Sequence, residues 1–111
     1  MYAPMVSTTA LTQQTVQALQ TAREAVHARR KLGFRYRDLS GKPSQRVVRP
    51  LGCFFWGQVW TLAAWCEARQ DFRSFRVDRI DAMTLLDDRF RDEPGRSLAD
   101  LMRRLASDGV D

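Results

Sequence analysis

The chain has 111 residues, 44% hydrophobic and 28% charged, with a formal net charge of +5. That length accommodates one ordinary domain and excludes two, and the composition is that of a folded globular chain, not a disordered tail. No run approaches the roughly 18 apolar residues of a membrane span, and the N-terminus lacks the basic-then-apolar layout of a secretory signal, so the expected setting is cytoplasmic, with no membrane partner.

Residues 1–7 carry no usable pattern and are expected to form a disordered end. Residues 8–31 read as one amphipathic helix without Gly or Pro, striped by Leu11, Val16, Leu19, Ala22 and Val26. Ser7, Thr8 or Thr9 would cap its start, Arg29, Arg30 and Lys31 suit its C-terminal end, and Gly33 would stop it. The single histidine, His27, falls at that end and reads as a surface or capping residue.

Residues 32–90 switch to the period of strands. Phe34 and Tyr36 alternate with Arg35 and Arg37, and residues 38–43 are turn chemistry. A second strand over 45–55 is interrupted near Pro50-Leu51-Gly52, because proline cannot donate to a ladder. Trp56-Gly57-Gln58 suits a tight reversal. The third strand, 59–67, places Trp60, Leu62, Ala64 and Cys66 on one face and Thr61, Ala63 and Trp65 on the other. After a turn, 72–80 and 82–86 give two further strands. Residues 91–111 hold a break at Asp92-Glu93-Pro94-Gly95 and a last helix. Ser97 opens that helix, Leu98, Leu101, Met102 and Leu105 stripe it, and Gly109 ends it. The predicted fold class is mainly β with flanking helices: five short antiparallel strands closing into a small, partly open barrel between an N-terminal and a C-terminal helix.

Catalytic chemistry is sparse. No G-x-S-x-G, P-loop or G-x-G-x-x-G is present, and Asp78, Asp81, Asp87 and Asp88 lie among arginines as surface charges would. Cys53 and Cys66 sit inside apolar runs without metal-ligand spacing and read as reduced, buried residues. The chain is therefore expected to be no enzyme and to need no cofactor or metal. Binding chemistry is richer. Residues 23–79 hold 13 Lys/Arg against 5 Asp/Glu, a balance of +8, whereas 80–111 hold 5 against 8, a balance of −3. Within the basic part, Arg69, Arg73, Arg76 and Arg79 recur every three or four residues among aromatics. Guanidinium groups bind phosphate bidentately and stack on rings. The same residues would equally serve as a solvated face, with Trp56, Trp60 and Trp65 in the core and arginines paired to Asp71, Asp78 and Asp81.

Two stretches are more specific than composition. Residues 60–69, WTLAAWCEAR, followed by 71–80, DFRSFRVDRI, resemble the WYL domain of bacterial transcription regulators. Upstream, 34–38 (FRYRD) with Gly41, and 46–52 (RVVRPLG), resemble the first two strands of that family, so the likeness runs over about residues 12–90. The resemblance implies an Sm-like, SH3-type barrel, the effector-sensing part of a regulator that also carries a helix-turn-helix. It further implies a nucleotide or single-stranded nucleic acid as ligand. Carried over, the ligand-binding candidates are Trp60 and Leu62 of the name motif and Arg76 and Arg79 of F-R-x-D-R-I, followed by Arg46 and Arg49. The motif's middle tyrosine is Thr61 here, which keeps a hydroxyl and loses the ring. One helix precedes Phe34, a connector by this likeness, so the helix-turn-helix partner is expected outside this chain. A homodimerisation module without a small ligand is the alternative.

Overall fold

The computed structural model describes residues 12–108. Helix α1 (Gln13–Ala28) is followed by strands β1 (Arg30–Arg37), β2 (Pro43–Trp56), β3 (Val59–Cys66), β4 (Asp71–Arg76) and β5 (Ile80–Arg89), and by helix α2 (Leu98–Asp108). Thr12 caps α1, its hydroxyl accepting the Thr15 N–H at 3.1 Å. The expected caps at 7–9, the start of the helix at 8–11 and the stop at Gly109 lie outside the described residues. The buried face of α1 is Thr15, Ala18, Leu19, Ala22 and Ala25, with Val16 left exposed. Its stripe is thus centred on alanines, which let the helix approach the sheet closely.

The helix stops earlier than Gly33. Arg29 takes the left-handed conformation at φ 54° and its N–H bonds the Ala25 and Val26 carbonyls. From Arg30 the chain enters the sheet, Arg30 pairing with Arg89 of β5, and from Leu32 it is held on both sides, by Val48 and by Leu85. Gly33 belongs to β1. Pairing with two strands captures residues that, by local pattern, would have continued the helix.

The sheet order is β4-β3-β2-β1-β5, antiparallel throughout. Its axis is β2, whose first half pairs with β1 and whose second half pairs with β3. The expected interruption at Pro50-Leu51-Gly52 is a register shift inside one continuous strand. Such a bulge absorbs the missing proline N–H and sharpens the bend. Gly52 gives close approach there: a Cβ would lie 3.0 Å from the Phe54 ring, which would have to shift to admit a larger residue. At the β2–β3 reversal, Gly57 and Gln58 have φ 60° and 73°, the paired positive values of a type I′ hairpin turn.

Residues 72–80 do not form one strand. β4 ends at Arg76, a 3-10 turn at Val77–Arg79 drives Val77 into the core, and β5 starts at Ile80 beside β1. The three-residue turn carries the chain across the gap, so β4 and β5 do not pair and both remain edge strands. The expected barrel is therefore an open, strongly curled sheet. Its curl still brings β1 and β4 together through rings: Phe75 lies 5.2 Å from Phe34 and 5.0 Å from Tyr36, both edge-on. Across the same seam the Arg76 N–H donates to Tyr36 Oη at 3.0 Å.

The inner face gathers Leu32, Phe34, Val48, Leu62, Cys66, Phe75, Val77 and Ile80 against the alanine face of α1. Cys53 and Cys66 are free thiols, and burial pushes Cys53 up from its ordinary pKa. The outer face of β3 and β4 lies against α2. Arg104 reaches Asp71 at 2.7 Å and Arg96, just before the helix, stacks 5.0 Å over Trp65. Ser97 and Asp100 cap α2 reciprocally. The Ser97 hydroxyl accepts the Asp100 N–H at 3.2 Å, and the Asp100 carboxylate accepts from the Ser97 hydroxyl at 2.7 Å and from the Ser97 N–H at 3.1 Å.

Those hydrogen bonds, the Ser97 hydroxyl first, hold the Asp100 pKa down to about 2. A carboxyl lower in the folded state than in the unfolded chain stabilises above its unfolded value, near 3.9, and that contribution is lost as pH falls through the folded value. Asp100→Asn is therefore expected to lower helicity at neutral pH, the difference from the unaltered chain vanishing between about pH 4 and pH 2 in far-ultraviolet circular dichroism. Phe75→Ala, which empties the ring cluster at the seam, should cost about 3–5 kcal/mol. In urea titration this appears as a lower midpoint with the slope unchanged.

Candidate functional site

The turn after β4 and the loop after β1 enclose a cleft of about 350 Å³, lined by Tyr36, Asp38, Ser40, Arg73, Ser74, Arg76 and Arg79. It forms because β4 is an edge strand, so its residues reach the opening from both faces of the sheet. Arg73 leaves the inner face and lies 5.7 Å over the Phe75 ring. Arg76 leaves the outer face, opposite Thr61. Arg79, on the 3-10 turn, donates to the Asp38 carbonyl at 3.0 Å.

Charge in the cleft is only partly balanced. Arg76 is held bidentately by Asp78, at 3.1 and 2.8 Å, and that hydrogen bonding raises its pKa further. The Asp38 carboxylate is turned into its own loop, where it accepts from the Ser40 hydroxyl at 2.6 Å, the Ser40 N–H at 2.9 Å and the Lys42 N–H at 3.1 Å. The Ser40 hydroxyl bond is the main reason its pKa is lowered. Arg73 and Arg79 have no carboxylate partner among the described residues.

Of the sequence candidates, the fold brings together Arg76 and Arg79 and separates the rest. Leu62 is fully buried in the core, paired opposite Phe75, and has no surface to offer a ligand. Trp60 directly precedes the Thr61 that pairs with Arg76, but its side chain goes to the other face, where it lies 5.3 Å from Phe55 and is capped by Arg23 of α1 at 5.2 Å; it does not line the cleft. Arg46 lies opposite Phe34 on the inner face, and its buried Nε has no hydrogen-bond partner.

Arg49 is committed elsewhere. It binds Glu67 at 3.1 Å and Glu93 at 2.7 Å, tying β2 to the end of β3 and to the segment before α2. Lys31 joins the same Glu67 at 2.8 Å. Burial pushes the Glu67 carboxyl up, but hydrogen bonds from Lys31 and Arg49 outweigh it and hold the group below its ordinary value. Arg73, Tyr36 and Ser74 are the lining residues that motif reasoning missed. The alternation in Phe-Arg-Ser-Phe-Arg, which sends Arg73 and Arg76 to opposite faces, becomes informative only once β4 is known to be an edge.

An open five-stranded antiparallel sheet between two helices, with an arginine-lined cleft at its seam, defines a small β domain. A model of the WYL domain matches residues 17–85, and the chain belongs to that family. Over 64 residues it is 36% identical to the DNA-binding transcriptional repressor CapW of Stenotrophomonas maltophilia, a match covering 57% of this chain and 21% of that protein. Among solved structures, the proteasome accessory factor PafBC of Arthrobacter aurescens superposes with a TM-score of 0.67 at 24% identity, over 77% of this chain and 14% of that one; this similarity is one of fold. The chain spans about a fifth of the length of the repressor and about a seventh of that of the accessory factor.

Arg49 and the cleft arginines should separate in experiment. Arg49→Ala leaves two acceptors short of a charged donor and is expected to cost about 1–3 kcal/mol of stability. Arg79→Ala, losing one exposed bond to a carbonyl, should cost little. Thermal unfolding of the two variants side by side checks this.

Proposed function

We propose that this domain is the ligand-sensing part of a transcription regulator and binds a phosphate-bearing ligand, a nucleotide or single-stranded nucleic acid, at the Arg73–Arg76–Arg79 cleft. The observation that carries the reading is the set of three guanidiniums around one opening, of which only Arg76 has a carboxylate partner among the described residues. Planar forks of this kind hold phosphate oxygens bidentately, and Tyr36 beside them offers a hydroxyl and a ring. CapW is described as a DNA-binding transcriptional repressor, which supports a regulatory role and a helix-turn-helix partner supplied from beyond the matched segment. No metal-binding group of three or more His, Cys, Asp or Glu occurs among the described residues, and the reading requires no catalysis or cofactor. Nor is any described helix long and apolar enough to cross a membrane.

Fluorescence anisotropy with a labelled single-stranded oligonucleotide at several salt concentrations tests the site. Arg73→Ala and Arg79→Ala are each expected to weaken binding roughly tenfold, as loss of a charge-assisted contact does. Each should also lower the logarithmic salt slope by about 0.7, the value for one phosphate on a single strand. Arg69→Ala, at the exposed β3–β4 turn, should bind like the unaltered chain. Unchanged binding by both cleft variants would remove the cleft from consideration.

A further inference from the structure

A second opening lies on the outer face, between α2 and the strands β2, β3 and β4, with a volume of about 470 Å³. Its walls are apolar. Phe55 and Trp56 at the β2–β3 hairpin are 54% and 67% exposed, and Met102 and Leu105 on α2 are 40% and 48% exposed. Thr61 and Ser74 also line the opening, and neither hydroxyl is bonded by another described residue. Ser74 also lines the arginine cleft, so the two openings meet at this residue. Arg76 follows Ser74 by two positions, about 7 Å along the strand.

We infer that the groove and the cleft are two halves of one site, for an anion carrying a flat, largely apolar aromatic body. The head would lie among the arginines and the ring between Trp56 and the Met102–Leu105 side of α2, with the Thr61 and Ser74 hydroxyls meeting its one polar edge. This rests on the anion-binding reading of the cleft and adds what the ligand must carry besides its charge. Charge argues against a second copy of the chain as occupant. A two-fold contact sets the same patch against itself, bringing the arginine clefts at the rim of the groove towards one another. Area argues the same way, since four part-exposed side chains offer only a few hundred Å² against the roughly 800 Å² per partner of a stable interface. The groove's size falls in the range of small-ligand sites. Thr61 lines the groove on the same face of β3 as Ala63, and a larger side chain at that position, such as tyrosine, would take up part of the space.

Isothermal titration with inorganic phosphate, 1-naphthyl phosphate and neutral 1-naphthol tests the inference. Naphthyl phosphate is expected to bind at least about tenfold more tightly than inorganic phosphate, a modest share of what burying such a ring supplies. Naphthol should bind more weakly than naphthyl phosphate. Thr61→Tyr should remove the naphthyl advantage and leave phosphate binding intact. Leu105→Gln, on the exposed face of α2, should reduce the advantage independently if the tyrosine variant fails to fold. Arg73→Ala should weaken both anions. Equal affinity for the two anions overturns the inference, as does naphthol binding as tightly as its phosphate. It is equally overturned by a stable dimer in sedimentation equilibrium that Leu105→Gln dissociates. Failure of every phosphate to bind is a different result, because it removes the anion site itself.

Discussion

The structure depends on one strand doing two jobs. β2 is 14 residues long, and it pairs with β1 before Pro50 and with β3 through and beyond it. The register shift at Pro50–Gly52 turns the second half out of the plane of the first, and Gly52 lets the strand fold back against Phe54. Without that bend β1 and β4 would stand two strands apart on a gently twisted sheet. With it, Phe34, Tyr36 and Phe75 form one ring cluster, and the inner face becomes an enclosed core.

Much of the fold was legible because local chemistry and tertiary demand agreed. Residues 56–58 announced a reversal and form one, the strand periods located β1 to β3, and Ser97 marked the start of α2. The misreadings occur where pairing overrides pattern. Arg30 to Gly33 look like a helix end and are taken into a strand, by β5 from Arg30 and by β2 as well from Leu32. Residues 72–80 look like one strand because Phe75, Val77 and Ile80 are all buried, yet Val77 gets there through a turn. That turn decides whether the sheet closes, and its one trace in the sequence is the step of three from Val77 to Ile80, out of phase with strand alternation.

The site was only half legible for a related reason. Arginines are conspicuous in a sequence, but their use depends on which carboxylates the fold delivers to them. Arg49 and Arg76 look alike as motif members. The first is locked between Glu67 and Glu93 as a fastening for the segment before α2, and the second borders an opening with Asp78. Arg73 was visible and unranked, because its proximity to Arg76 and Arg79 arises from the curl of an edge strand.

The second half of β3 is buried on both sides. From Leu62 to Cys66 every residue is buried, alternate side chains going to the inner core and to the layer under α2. A strand sandwiched in this way has almost no neutral positions: a change of volume on either side disturbs one of two packed layers. The positions of the name motif are therefore constrained differently in this chain. Leu62 answers to the core alone. Position 61, at the rim of the strand's buried stretch, is where substitution can alter the shape of the surface without dismantling the domain, and threonine is the variant found there.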